Sequence, residues 1–349
     1  MPISQQDLAR LSRTSLNDYL RNTPVDQITQ ERPLLNKLLQ GKKPFGGALQ
    51  YVKENIRKSH DSAFTWTYGE AQINFAKRDT VTQTEFPWKH CVDSLYRSDD
   101  ELFSNGIRVV RGDNGKVSLE KNEKVQLIDM LEEDNQVLRE GFMESLDFEC
   151  HRDGTSSNDA IVGLDGLISL TPTTGTVGGI DRSVAANKYW RNYADATLAQ
   201  SDMLEKMERA WRECTRCAGG STPDFILAGW DFIEAYNKAI PVTRNMDAGS
   251  VGRKDGGIGE GTNTGLFFKG KPVIWDPTFD RLDSTDSPST AWSKRCYFLN
   301  TKDIKWREDG YDIFSPATPH NTLCLFTVVS LRCVLSMRRA NSHAVLALA

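Results

Sequence analysis

The sequence predicts an α+β protein of two subdomains with projecting parts, and three observations carry that expectation. Apolar residues recur at helical spacing from about 117 to 150, through Ile128, Leu131, Leu138, Phe142 and Leu146. A short apolar run, "PDFILAG" (223–229), leads straight into a helical pattern, "WDFIEAYNKAI" (230–240). The C-terminal part then returns to strand-like runs in "CYFLN", "IKWRE" and 323–348. At 349 residues the chain exceeds what one compact core usually organises, which favours two subdomains.

Taken in order, residues 5–21 place Leu8, Leu11, Leu16 and Leu20 at helical spacing, as in an amphipathic arm that lies on another surface. Residues 41–88 are punctuated by Gly and Pro and carry dense mixed charge. Their alternating pieces "AFTWTY" and "AQINFAK" read as strands of a long projecting hairpin rather than a packed domain. The helical stretch that follows meets no Gly or Pro before Gly141, and "HRDGTSSNDA" ends it. A helix of about thirty residues spans about 45 Å, long for a globular domain.

Residues 171–192, "TPTTGTVGGIDRSVAANKYWRN", raise the choice between a phosphate cradle and a shaped joint. Beyond them, 195–220 reads as a helix with Leu198, Met203, Leu204, Met207 and Trp211 on one face, stopped by Gly219-Gly220. Residues 243–265 hold seven glycines and read as a mobile loop. "GLFFKGKPVIWD" reads as a hairpin turning through Lys269-Gly270-Lys271.

The formal net charge of −4 argues against a dedicated basic grip on nucleic acid. Its distribution is uneven. Residues 1–58 hold ten Lys/Arg against five Asp/Glu, whereas 93–154 hold sixteen acids against eight bases. A basic arm thus precedes an acidic helical region. The start, "MPISQQDLARLSRTSL", has no apolar core of a secretion signal, and the run 323–337 is too short for a membrane helix and includes Arg332. The expectation is a cytosolic product with no membrane partner. Seven scattered cysteines do not suggest a disulfide framework, and Cys214 and Cys217 read as facing one way along a helix with Trp211.

Catalytic and cofactor motifs are missing from the sequence. There is no GxxxxGK followed by Ser or Thr, no GxSxG, no HExxH and no Asp-rich calcium loop. "GGIGEG" (256–261) follows no strand and opens no helix, so its amides have no reason to converge on a pyrophosphate. No helix starts at the glycines of 171–180 either. The five histidines lie far apart, each beside ordinary surface residues, and "RGD" at 111–113 is short enough to arise by chance. No catalytic residue, metal site or cofactor is expected. An unpartnered arm costs about 1–2 kcal/mol per residue to order, so extended parts are best explained by contacts between copies.

The order of these parts resembles the major capsid proteins of tailed phages, with the Hong Kong 97-like fold. The resemblance rests on "GLDGLISLTPTTGTVGGIDRSVAANKYWRN" (163–192), preceded by the long helix and "DGTSSNDAIV". It continues in "FILAGWDFIEAYNKAI", "FFKGKPVIWDPTF" and "CYFLNTKDIKWREDGYDIFSP", while "EFPWKHCVDSL" and "ELFSNG" resemble the return of the family's extended loop. It spans roughly 40–340. It implies an N-terminal arm over 1–45, an extended loop over 46–92, and a peripheral domain over 93–194 with a spine helix at 115–151. An axial domain over 195–295 and a return to the peripheral domain over 296–349 complete it.

The function implied is self-assembly into hexamers and pentamers of an icosahedral head around double-stranded DNA, the virion being its location. Implied partners are a separate scaffolding protein, a portal, a decoration protein and weakly held DNA. Expected inter-subunit contacts are Lys53, Arg57, Lys58, Asp61, Trp66 and Tyr68 in the loop. Arg244, Asp247, Arg253, Lys254 and Asp255 are expected near the axial tip. Gly175, Gly178, Gly179, Tyr189 and Trp190 are expected at a domain joint. Only about forty-five residues precede the loop, so no large cleaved prodomain is expected. Some relatives join Lys to Asn between subunits. Lys53, Lys58 and Lys77 lie in the loop and Asn341 near the C-terminus, but nothing in the sequence supplies the carboxylate geometry, and no crosslink is expected. The acidic 93–154 region facing inward would keep packaged DNA loose. The alternative is an oligomeric α/β binding protein or enzyme with a pocket built from distant residues. A scaffold or decoration protein is a third reading, and eight tryptophans argue against a scaffold.

Overall fold

The computed structural model describes residues 29–44, 50–70, 75, 77–104, 110–111, 117–118, 121–240, 256–258, 264–286, 288–314 and 324–349. The chain divides into two compact units. Among the described residues, one takes those within 1–30, 91–146 and 311–331, and the other those within 31–90, 147–310 and 332–349.

Helix α1 (Pro33–Gln40) begins with proline where a missing N–H is tolerated, and buries Leu34, Leu35 and Leu38. Strand β1 (Lys43–Pro44) pairs in parallel with Arg307 and Glu308. Strands β2 (Tyr51–Arg57) and β3 (Val81–Pro87) form an antiparallel ladder from Tyr51 opposite Pro87 to Arg57 opposite Val81. The hairpin exists, but its strands are not the ones expected. Residues 63–68, "AFTWTY", carry no strand, and 71–74 and 76 of "AQINFAK" lie outside the described residues. The alternation in "AFTWTY" is between exposed residues, so no half-buried pleated face holds it.

In the first unit, β4 (Lys89–Ser98) enters from residue 91 and runs into helix α2 (Asp99–Ser104). Ser98 and Glu101 cap that helix reciprocally, Glu101 N–H to Ser98 Oγ at 3.3 Å and Ser98 N–H to Glu101 Oε2 at 3.4 Å. Short strands β5 (Val110–Arg111) and β6 (Val117–Ser118) pair, which explains why the long helix α3 (Lys121–His151) begins later than residue 115. Its 31 residues span about 46 Å. Leu138, Phe142, Leu146 and Cys150, four apart, are all buried. Arg97 grips Asp134 of this helix with two hydrogen bonds, of 2.9 and 2.6 Å.

The second unit is built around a seven-stranded sheet. In chain order it uses β9 (Tyr193–Leu198), β10 (Phe225–Ala228), β11 (Gly256–Ile258), β12 (Leu266–Phe268), β13 (Lys271–Trp275), β14 (Arg295–Leu299) and β17 (Ala344–Leu348). Their spatial order is β11-β12-β13-β10-β14-β17-β9. The pairs β10/β13 and β17/β9 are parallel. Central strands β10 and β14 are buried at every position, which accounts for the apolar runs Phe225–Ala228 and Cys296–Leu299; Arg295, at the start of β14, is buried as an ion pair with Asp165. Helix α5 (Met203–Cys217) contributes Met203, Met207, Ala210 and Cys214 to the core, and helix α6 (Trp230–Ala239) adds Phe232, Ile233 and Tyr236. Cys214 is buried in this core and forms no disulfide among the described residues.

Two further expectations need correction here. The helix expected from residue 195 starts at Met203. Residues 193–198 instead pair with β17, a tertiary ladder overriding local propensity. Residues 256–258, expected as loop, form β11 against β12; the rest of the mobile loop expected at 243–265, up to Asn263, lies outside the described residues. The β12–β13 hairpin does turn through Lys269 (φ 49°) and Gly270 (φ 73°), the left-handed pair a two-residue hairpin demands. The long strands β15 (Ile304–Phe314) and β16 (Cys324–Met337) complete the chain's sheets.

Candidate assembly surface

The hairpin β2–β3 carries the features a contact between copies needs: an anchored root and an exposed far end. At the root, β2 alternates strictly and turns Val52, Glu54 and Ile56 inward. Glu54 is 8% exposed and accepts from two guanidiniums, Arg307 at 2.7 Å and Arg338 at 3.0 Å. Thr84 Oγ1 donates to the Glu54 carbonyl across the ladder. Buried Phe86 and Thr84 face a second hairpin, β7 (Thr176–Val177) and β8 (Ile180–Asp181), whose Gly178 carbonyl accepts from Glu85 N–H at 3.0 Å. A Cβ on Gly178 would stand 3.0 Å from the Phe86 ring and 3.1 Å from Thr84 Cβ.

Farther out, aromatic side chains meet solvent. Phe64 is 70% exposed, Trp66 92%, Tyr68 99% and Phe75 95%. Phe64 and Trp66 touch only edge to face, with centroids 5.2 Å apart. Aromatic rings left in water on an extended segment have no reason to be there in an isolated subunit.

Of the loop residues expected at inter-subunit contacts, Lys53 is paired within the chain to Glu85, directly opposite it, at 2.7 Å. Lys58 is paired to Asp79, whose hydrogen bond pushes the ammonium pKa up. Arg57 and Asp61 are exposed and make no ion pair among the described residues. Arg244, Asp247, Arg253, Lys254 and Asp255 lie outside the described residues.

Residues 171–192 answer the question their glycines raise. Gly178 (φ 58°) and Gly179 (φ 78°) form the turn of β7–β8. Trp190 is fully buried and donates Nε1–H to Val177 O. Arg182, 1% exposed, spends its guanidinium on the carbonyls of Trp190 and Leu167; burial pushes its pKa down to about 10. Arg191 reaches the carbonyls of Arg182, Ser183 and Val184, and Asn192 those of Ser169 and Tyr193. These donors are consumed by backbone, which makes the stretch a shaped structural piece rather than a phosphate cradle. It lies wholly within the second unit. Gly175 has φ 81° and Tyr189 is half-buried.

Sequence reasoning missed one cluster. His151 and His343 are fully buried, not surface residues. Asp147, His151 and Asp276 gather potential ligand atoms within 4.8 Å of one another. His151 donates from Nδ1 to the Asp147 carbonyl (2.7 Å) and from Nε2 to Asp276 (2.9 Å), and Thr278 donates to Asp147 Oδ2 (2.6 Å). Burial alone would lower the imidazole pKa; the two carboxylates overcome it and hold it at about 9. Both ring nitrogens face acceptors, and the trio is a buried ion pair that, within the second unit, ties the last turn of α3 to the start of helix α7 (Thr278–Asp286). The i, i+4 spacing of Asp147 and His151 was a readable signal; Asp276 was not. His343 is neutral, its pKa pushed down to about 3 by burial, and accepts from Asn300 N–H.

No family model and no curated protein matches the sequence. Solved structures do. The capsid of a native GTA particle matches with a TM-score of 0.54 at 11% identity, covering 94% of each chain. The cyanophage A-1(L) capsid matches at 0.54 and 14% identity, over 95% of this chain and 97% of that one. A structure from Mycobacterium phage Bobi matches at 0.53 and 12% identity, over 100% and 99%. Agreement over nearly full length, with so little identity, is agreement of architecture. The chain has the Hong Kong 97-like fold of tailed-phage capsid proteins.

Proposed function

We propose that this chain is a capsid shell subunit that assembles with copies of itself into hexamers and pentamers of an icosahedral head around double-stranded DNA. The observation that carries the reading is the hairpin: rooted through Glu54 and Gly178, and ending in aromatic residues almost wholly exposed. On a capsid fold, a neighbouring subunit is what covers them. In this reading residues 1–45 are the arm, 46–92 the extended loop, and 93–194 the peripheral domain with its spine helix. Residues 195–295 are the axial domain, whose sheet also takes in β14 and β17. Lys53, Arg57, Lys58, Asp61, Trp66 and Tyr68 contribute to the loop contact, with Arg244, Asp247, Arg253, Lys254 and Asp255 nearer the axial tip. Gly175, Gly178, Gly179, Tyr189 and Trp190 shape the passage between domains.

A separate scaffolding protein, a portal and a decoration protein complete the particle, the virion is its location, and DNA is held weakly. Electron microscopy of the purified protein, alone and with a candidate scaffold, tests the reading. Closed shells or rings of five and six are expected, and removal of residues 59–79 abolishes them. A uniform small oligomer under every condition overturns it. Denaturing gels of the shells are expected to show no crosslinked ladder.

A further inference from the structure

The root of the hairpin forms one wall of an open cleft of about 720 Å³ inside the second unit. Strand β2 lines it with Lys53, Asn55 and Arg57, which alternate on the solvent side of the strand. Arg338, Arg339 and Asn341 line it from the turn before β17, and Tyr189 adds an aromatic ring. Four cations therefore share the cleft with two carboxylates, Glu54 and Asp303.

Both carboxylates are already engaged. Glu54 serves Arg307 and Arg338, and Asp303 stands 3.9 Å from Arg339. Lys53 is held by Glu85. Arg57 keeps a whole charge with no carboxylate against it among the described residues. Arg338 meets Glu54 through Nε alone, and Arg339 spends NH1 on Ala218 O, so both forks retain donors. Their side chains are 48% and 46% exposed. Guanidinium forks with spare N–H groups, set around a concavity, match carboxylates in shape as well as charge.

We propose that this cleft docks an acidic segment of a second copy of the chain. The proposal rests on the assembly reading above and adds the chemistry of one contact. Charge balance within the chain supplies the partner: 93–154 hold sixteen acids against eight bases, so each copy offers what the cleft lacks. Nucleic acid is the weaker candidate, because the chain as a whole is acidic, with a formal net charge of −4 that opposes a long phosphate run. The occupant bridges the loop root to the turn at 338–341 and makes the loop's attachment depend on a neighbour.

The test uses full-length protein and dye-labelled hexaglutamate, followed by fluorescence anisotropy at low salt. Saturable binding is expected, weakened about tenfold by Arg57→Glu and less by Arg57→Gln. Lys238→Glu, at a cation paired with Glu234 on α6, is expected to leave binding unchanged. No saturable binding, or binding indifferent to Arg57→Glu, overturns the cleft; so does Arg57-dependent binding of a short DNA duplex in preference to the peptide. Shell formation is scored separately. If wild-type protein forms no shells, the assembly reading falls and the peptide result still judges the cleft. If Arg57→Glu protein forms normal shells and binds hexaglutamate normally, only the cleft proposal falls.

Discussion

His151 Nε2 lies 2.9 Å from Asp276 Oδ2, and neither side chain reaches solvent. The contact fastens the last turn of α3 to the segment after β13, and its energy depends on protonation. The folded pKa of His151, about 9, is above its ordinary 6.5. Its stabilisation is therefore complete below pH 6.5 and lost as pH rises through about 9. Burial raises Asp147 above its ordinary 3.8 against the opposing pull of His151, so its own contribution also falls as pH rises, beginning from 3.8. Denaturant unfolding followed across this window is expected to show a loss on the order of 3 kcal/mol for the His151 part. His151→Asn is expected to be destabilised and to lose that pH dependence. A wild-type curve flat from pH 6.5 to above 9 would contradict the charged assignment.

Gly178 and Gly179 separate two kinds of glycine requirement. Both have positive φ, which costs a residue with a Cβ about 1–2 kcal/mol. A Cβ on Gly179 meets nothing within 4 Å, whereas one on Gly178 presses on Phe86 and Thr84. Gly178→Ala is expected to cost more than Gly179→Ala by about 1 kcal/mol or above. Gly179→Asn is expected to be nearly neutral. Equal denaturation midpoints for the two alanine variants would show that β7–β8 does not press on the hairpin root.

Glu54 holds two arginines from a nearly buried position. Glu54→Gln keeps the shape and removes the charge, and is expected to cost about 2–3 kcal/mol, at or below the low end for a broken buried pair because Arg338 is half exposed. Arg338→Ala is expected to cost less than Arg307→Ala, whose side chain is 20% exposed. A double-mutant cycle of Glu54 with each arginine measures both couplings.

The legible parts of this fold are those where local pattern and tertiary demand agree. The period of α3, the β10–α6 pair and the Lys269-Gly270 turn were all readable from sequence. Residues 195–198 were not, because the edge of β17 decides their state and lies some 150 residues away in the chain. "AFTWTY" misled for the opposite reason: its alternation meets no sheet at all. The joint's glycines could be read, but not Arg182, a lone arginine in a loop whose partners are backbone carbonyls. Glu54 had no signal either, since Arg307 and Arg338 lie more than 250 residues away.

Trp66 and Tyr68 allow stability and assembly to be separated. Their rings touch solvent over more than nine tenths of their surface, so truncation removes almost nothing from the isolated subunit. Trp66→Ala and Tyr68→Ala are expected to change unfolding free energy by no more than about 0.5 kcal/mol. If a neighbouring copy buries them, each truncation costs association about 2 kcal/mol or more, as large aromatic anchors do. That loss recurs at every subunit of a closed shell, so it is expected to abolish assembly rather than slow it. Unfolding curves and analytical sedimentation on the same preparations decide the matter. Variants that unfold like wild type and yet fail to assemble place the contact in the loop. Variants that assemble normally remove the aromatic segment from the contact.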